Sequence, residues 1–311
     1  MFEIKIYTHT NKNEWDRFVD SSKNGTFLFK RDYMEYHADR FYDFSLLIYR
    51  KNKLYALLPA NRVEDTLYSH QGLTYGGIII SAKSGTFEIL EIFNHLSSFL
   101  KSHNINEVVY KPVPYIYHSI PSQEDLYALF RINASLIARN ISSTIYQKDK
   151  LKFIESRKSG VRKALNNKIE IHESDDFSSF WKILDDNLTN KYGTKPVHTL
   201  SEIEYLHSRF PDNIKLYLAF SDEQVLGGTV LYLTKNVLHT QYISASILGK
   251  ESGALDLLFD ELINKIFVDI PVFDFGQSTE QMGNLLNESL IFQKEGFGGR
   301  GVVYDIYKYT L

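Results

Sequence analysis

Lys294 lies in the run Ile291-Phe292-Gln293-Lys294-Glu295-Gly296-Phe297-Gly298. Phe292 and Phe297 would keep water away from it, and Gly296 and Gly298 let backbone approach closely. An ammonium fixed in a dry site stabilises the oxyanion that forms when an amine attacks an acyl carbonyl. A surface salt bridge, for instance with Glu295, is the plainer account of the same residue. His239 is a second candidate, as a general base working near neutral pH. Strand alternation places His239 and Gln241 on one face and Tyr242 on the other. A histidine satisfied inside a core is the commoner fate. Glu280 is the best carboxylate base in the polar run Asp274, Ser278, Thr279, Glu280, Asn284 and Asn287. That run follows a strand end, where ligands of α/β sheets collect. Capping of a helix Glu280–Leu290 by Ser278 or Thr279 would explain it equally well.

Anion-binding candidates form a second group. Leu248-Gly249-Lys250-Glu251-Ser252-Gly253-Ala254 stands between an expected strand and an expected helix. Backbone N–H groups freed there, with the helix dipole and Lys250, could hold a phosphate or pyrophosphate. Lys148–Lys168 carries eight Lys/Arg against two acids, a local charge of +6. Arg157, Lys158 and Arg162 could share a helix face there and attract the phosphates of a nucleotide-linked substrate or of tRNA. A solvated face is the ordinary outcome for such a run. In the first half, His70-Gln71-Gly72-Leu73-Thr74-Tyr75-Gly76-Gly77 packs three glycines into six residues, and His70, Gln71 and Tyr75 could form a wall for the acceptor. A β-bulge and turn would use the same glycines. Lys195-Pro196-Val197-His198 is a loop that could close over substrate.

Composition narrows the chemistry. The 311 residues include no Cys, so disulfides, thiolate catalysis and Cys-based zinc sites are excluded. The ten His form no HxxxH or HxH pair, and no metal site is expected. Neither a P-loop nor a G-x-S-x-G elbow occurs, so direct attack rather than a covalent enzyme intermediate is expected. The net charge of −3 gives no general reason to bind nucleic acid. The N-terminal residues do not read as a signal peptide, and apolar stretches fall well short of a membrane span. A cytoplasmic location is the expectation.

These candidates need elements to hold them, and the sequence repeats its own layout. Phe44–Tyr49, Leu54–Ala60 and a third strand from Leu67 precede a glycine-bearing loop, an amphipathic helix Glu88–Lys101 and a strand Glu107–Tyr110. Lys215–Phe220, Val225–Leu233, Val237–Tyr242, the glycine segment, a helix Ala254–Phe267 and a strand Val272–Phe275 follow the same order. Apolar residues spaced i, i+3, i+4 mark both helices. Further helices are expected at Asn13–Ser21, Arg31–Ala38, Glu155–Asn167, Phe177–Lys191 and Leu200–Arg209, and two short ones within Gln123–Asn140. The expected fold is α/β (α+β), two similar domains of mixed, largely antiparallel sheet flanked by helices, at 1–145 and 146–311.

A strand meander, helix and strand occurring twice resembles the tandem-GNAT architecture of the FemAB-like acyltransferases. Arg157-Lys158-Ser159-Gly160-Val161-Arg162-Lys163-Ala164 resembles that family's "R-x-x-I-R-K-A" helix. Asp274-Phe275-Gly276 followed by Phe292-Gln293-Lys294-Glu295-Gly296-Phe297-Gly298 resembles its closing "D-F-G … F-K-x-x-F-G" pattern. The glycine segment departs from the Q/R-x-x-G-x-G/A phosphate loop of acetyl-CoA enzymes. The resemblance implies transfer of an acetyl or aminoacyl group to an amine of a small molecule or of a cell-wall or surface-polysaccharide precursor. It implies acyl-CoA as donor, bound by Tyr242, Ser244, Gly249, Lys250, Gly253 and Ala254, with Tyr242–Ser244 polarising the carbonyl. Lys294 falls at the family's closing lysine, and Gln241, Asp274 and Asn287 would meet substrate. Two alternatives stay open: an aminoacyl-tRNA-dependent transferase of the FemX kind, with tRNA as partner, and a scaffold of this fold that only binds a ligand or protein.

Overall fold

Short runs of β-branched, leucine and aromatic residues broken by Lys-Asn or Asp-Glu turns favour antiparallel hairpins, and hairpins organise both halves of this chain. The computed structural model describes residues 2–311. The chain forms two compact units, one of Met1–Asn140, Thr279–Leu285 and Val303–Leu311, the other of Ile141–Ser278 and Leu286–Val302.

The first unit contains, in order, β1 (Phe2–Ile6), α1 (Lys12–Ser21), α2 (Arg31–Met34), β2 (Tyr42–Asp43), β3 (Leu46–Arg50), β4 (Lys53–Leu58), β5 (Asn61–Val63), β6 (Thr66–Tyr68), β7 (Ile79–Ile80), α3 (Thr86–Ser102), β8 (Glu107–Tyr110) and α4 (Glu124–Arg131). β3 pairs antiparallel with β4, β5 with β6, and β6 runs parallel to β8. The expected second strand is thus interrupted at Pro59–Ala60, as a residue with no N–H to donate would dictate. α3 packs its buried face, Ile89, Ile92, Phe93, Leu96 and Leu100, into the core of this unit.

The second unit begins within β9 (Ser135–Tyr146) and continues through α5 (Glu155–Asn166), β10 (Glu170–Ser174), α6 (Phe177–Tyr192), α7 (Leu200–Arg209), β11 (Ile214–Ser221), β12 (Gln224–Leu233), β13 (Val237–Ala245), α8 (Ile247–Ser252), α9 (Ala254–Glu261) and β14 (Val272–Gln277). The chain then forms β15 (Thr279–Glu280) and β16 (Leu285–Leu286), followed by α10 (Glu288–Gly296) and β17 (Arg300–Thr310). The strand order in the second unit is β10-β11-β12-β13-β14-β9, antiparallel except for the parallel pair β13–β14. Each unit therefore carries hairpin strands, a helix and a returning strand parallel to the third, which is the repeat expected from the sequence.

Two expected helices are corrected. Of the two short helices expected within Gln123–Asn140 only one forms, α4, and from Ser135 the chain is strand, because the continuation Ile141-Ser-Ser-Thr-Ile-Tyr is dense in residues that suit a pleated surface. Glu280–Leu290 is not one helix. Asn287 accepts the Leu290 N–H at 3.2 Å and starts α10 at Glu288, so neither Ser278 nor Thr279 is the cap.

Three glycines fix how the helices of the second unit meet. A Cβ on Gly249 would lie 2.1 Å from the Leu226 carbonyl oxygen, and one on Gly253 would lie 2.3 Å from that of Gly160. A Cβ on Gly160 would lie 1.9 Å from Asp256 Oδ2. Gly253 also sits at φ +81°, a left-handed conformation that ends α8 and starts α9. Gly193 ends α6 at φ +62° with open space around it. Gly193→Ala should therefore cost only the left-handed backbone term, about 1–2 kcal/mol. Gly253→Ala should cost that and an overpacking term of about 1–3 kcal/mol. Chemical unfolding of the two variants checks the ordering; equal losses would mean that the close approach at Gly253 relaxes freely.

Candidate active site

The site begins with a failure of strand pairing. β13 and β14 match at Val237–Val272, Leu238–Phe273 and His239–Asp274, and their register ends there. Two irregularities force them apart. In β13 the pairing with β12 skips Gln241, which forms a bulge between Thr240 and Tyr242. In β14 the register with β9 breaks between Asp274 and Gln277, around Gly276 at φ +74°. Beyond His239 and Asp274 the facing edges of the two strands border a gap instead of each other.

The bulge also corrects the expected alternation. Leu238 and Ile243 pack into the same core cluster, five residues apart, which strict alternation forbids. His239, Tyr242 and Ser244 therefore share the opposite face, the one covered by α6. There the Tyr242 ring meets Trp181 at 5.1 Å, and Ser244 Oγ accepts a bond from Asn187 at 2.8 Å.

A cavity of about 320 Å³ occupies the gap. Leu184, Asn187, Leu188 and Lys191 of α6 line one side, and Leu255 and Phe259 of α9 line the other. Ile243, Ser244 and Ala245 of β13 and Phe275 of β14 form the edges between them. Since α6 and α9 lie on opposite faces of the sheet, the cavity is a slot passing between the parted strands. Lys250, Leu290, Gln293, Lys294 and Phe297 complete it.

Lys294 is 5% exposed. Its Nζ donates to the carbonyl oxygens of Gly276 at 2.9 Å and Gln277 at 2.8 Å, so two of three N–H groups are spent at the end of β14. Burial lowers its pKa from 10.5 to about 8, with Asp274 opposing the shift. Asp274 is fully buried at the point where the strands part. His239 Nδ1 donates to its Oδ2 at 2.8 Å, the Gly276 N–H donates to its Oδ1 at 3.1 Å, and the Ser142 hydroxyl also donates to Oδ1. With Nδ1 held in this way, Nε2 is the nitrogen of His239 that can accept a proton. At the other end Asn187 joins three groups. Its amide donates to Ser244 Oγ and to the Ala245 carbonyl, each at 2.8 Å, and its oxygen accepts from Lys250 Nζ at 2.8 Å.

No family model matches the sequence, and no curated protein matches it. Solved structures match it over nearly its full length. FemX aligns with 99% of this chain and 97% of its own at a TM-score of 0.69 and 12% identity. L-PGS from Bacillus licheniformis aligns over 95% and 90% at 0.61 and 11% identity. A tandem GNAT protein from the clavulanic acid biosynthesis pathway covers 100% and 98% at 0.52 and 8% identity. The fold is that of FemX and tandem GNAT proteins.

Within the FemX fold, this chain brings Lys294, Ser244 and Lys250 into the lining of the slot, while Asp274 and His239 stand outside that lining, at the last pair before the strands part. Other residues singled out in the sequence stand elsewhere. Glu280 is exposed on β15 and does not line the slot. Gln241 is the bulged residue, and Tyr242 hydrogen-bonds His198 Nδ1 at 2.6 Å on the α6 side. Asn287 caps α10. The glycine segment is no open phosphate loop. Residues 247–252 are helical, the Gly249 N–H bonds Ser246 Oγ at 3.1 Å, the Lys250 N–H bonds the Ser246 carbonyl at 2.9 Å, and Ala254 is buried at the start of α9.

Arg157, Lys158 and Arg162 of α5 do not all share a face. Arg157 turns inward to Asp256 at 2.8 Å and lies 5.4 Å from the centre of the Phe297 ring. Arg162 is exposed and pairs with Glu155 at 2.5 Å, and Lys158 is exposed. In the first unit, Gln71 exchanges hydrogen bonds with Asn61 and the Tyr75 ring packs against Phe29 and Tyr117. His70 lines a separate cavity of about 520 Å³ beside Arg31. Sequence reasoning missed Asn187 and Ser142. The α6 stripe 184, 187, 188, 191 carries a helical period, but that period reads as core.

Lys294 gives a pH test of the slot's dryness. Below pH 8 the folded protein holds a charged, desolvated lysine. Between about 8 and 10.5 the folded group loses its proton while the unfolded one keeps it, so stability rises with pH relative to a chain lacking this group. Unfolding free energies of wild type and Lys294→Met, measured at pH 7 and 9.5, should shift in favour of wild type at the higher pH. Parallel changes would show that this ammonium is not desolvated.

Proposed function

We propose that the chain is an acyltransferase that moves an acyl group from an activated thioester or ester to an amine in the slot of the second unit. The observation that carries this reading is the buried Lys294 ammonium, fixed by two carbonyl oxygens with one N–H to spare, at the point where two strand edges lie open. The amine nitrogen attacks the acyl carbonyl carbon, a C–N bond forms and the bond to the donor's sulfur or oxygen breaks. Lys294 stabilises the oxyanion of the tetrahedral species. His239, oriented by Asp274, takes the proton lost by the amine at Nε2, and the leaving thiol or alcohol regains a proton. Binding both reactants along one slot supplies the proximity that direct attack needs.

The donor has an activated acyl group on an anionic carrier. Lys250 and Lys191 support a carrier with phosphates, and acyl-CoA fits this description. Phosphate would meet side chains here rather than a glycine loop. The acceptor is an amine of a small molecule, and a cell-wall or surface-polysaccharide precursor is the favoured class. Among the described residues, no group of three His, Asp or Glu side chains is arranged to hold a metal, and none is needed in these steps.

The reading is tested by incubating the purified chain with labelled acetyl-CoA, longer acyl-CoAs and amino-sugar or amino-acid acceptors, and following label into amide. Lys294→Met should lower turnover about 10²–10³-fold with little change in donor affinity. Turnover in wild type should fall as pH rises past about 8, where Lys294 loses its charge. Activity that survives in the variant would assign the oxyanion to another group.

A further inference from the structure

We infer that the acyl group carried in the slot bears no positive charge: the donor delivers a neutral or anionic apolar acyl group, not an α-aminoacyl group. This rests on the acyl-transfer reading and narrows its substrate.

The charge of the lining leads to this conclusion. Lys191, Lys250 and Lys294 line the slot, and no Asp or Glu lines it. Carboxylates do occur on the same elements, but they are engaged elsewhere or stand in solvent. Asp256 of α9 is held by Arg157 at 2.8 Å, and Asp260 accepts from Asn264 at 2.8 Å. Asp185 of α6 pairs with Lys195 at 3.2 Å. Asp274 of β14 is occupied by His239, Ser142 and the Gly276 N–H. Glu251 of α8 and Glu288 and Glu295 of α10 are exposed.

An α-aminoacyl ester places an ammonium next to the carbonyl that Lys294 must approach. In a site lined by phenylalanines, that ammonium meets Lys294 at short range with no carboxylate to answer it. Like charges brought together in a poorly hydrated site repel strongly. The other polar side chains of the lining, Ser244, Gln293 and Asn187, carry no charge that could compensate it. The remaining walls are apolar: Leu184, Leu188, Leu255, Phe259, Phe275 and Phe297. They suit an alkyl or aryl acyl chain.

Three coenzyme A thioesters of matched size separate the cases: butyryl, methylmalonyl and 2-aminobutyryl, which are neutral, anionic and cationic beside the carbonyl. Titration calorimetry with the full chain at pH 6 should show butyryl and methylmalonyl binding at least about tenfold more tightly than 2-aminobutyryl, a factor set by one unscreened charge contact. Lys294→Met, which removes the facing ammonium, should narrow or erase that preference, and the far-ultraviolet dichroism checks its fold. Equal or tighter binding of the 2-aminobutyryl thioester by wild type overturns the charge argument alone. A preference that survives Lys294→Met overturns the assignment to this lysine. Failure of all three thioesters to bind overturns the acyl-donor reading itself, and this inference with it.

Discussion

Everything in the second unit's site depends on a sheet that stops pairing. A parallel ladder is ordinarily continuous for as long as both strands last. Here it ends after three residue pairs, because a bulge at Gln241 turns one strand and a left-handed Gly276 turns the other. The gap would be costly if it were filled by nothing, since strand edges carry backbone donors and acceptors. Lys294 answers two of the freed carbonyls on β14 and lines the slot together with Phe259, Phe275 and Phe297. The same contact that satisfies the strand end therefore puts an ammonium where a carbonyl oxygen could be received.

Asp274 closes the gap from the other side. It is the last residue of β14 paired with β13, has no exposure, and gathers a histidine, a serine hydroxyl and a backbone N–H. A buried carboxylate with three donors is a fixed point, and His239 inherits that fixity through its Nδ1. Ser142 reaches it from β9, so three successive strands meet at one side chain. The polar groups of the site are thus consequences of where the sheet parts.

The sequence carried the architecture more fully than the site. The period-2 hairpins repeat at an offset of 171, from Leu54 to Val225, period-3.6 helices follow them in the same order, and the hairpin–helix–parallel-strand layout forms in both units. The lost cases have physical causes. Only one of the two helices expected within Gln123–Asn140 forms, since Ser135–Asn140 runs on into β9. β17 received no assignment, although Val302, Tyr304 and Tyr309 are buried. Lys294 was legible because Phe297 and the glycines signalled a dry, closely approached position; Phe292, expected to help exclude water, is 63% exposed and does not line the slot. Asn187 was not, since it sits mid-helix on a stripe whose spacing is indistinguishable from core. The glycines at 249 and 253 carried a true signal of close approach, but the partner is the chain's own backbone, not a phosphate. One residue of bulge at Gln241 shifted the facing of everything after it, and nothing local in the sequence announces that shift.

The stripe on α6 has a consequence for how such a protein can diversify. Leu184, Asn187, Leu188 and Lys191 lie one turn apart along a single helix, and their side chains reach the slot without carrying the backbone of the strands. The opposing side is locked by glycine contacts that admit no added atom. Changes in what the slot accepts can therefore accumulate on one helical face, by exchange of side chains of similar volume, while the sheet and the packed helices behind it stay constant. Part of the selectivity of this unit can thus vary on one helical face, apart from what Lys250 and Lys294 contribute.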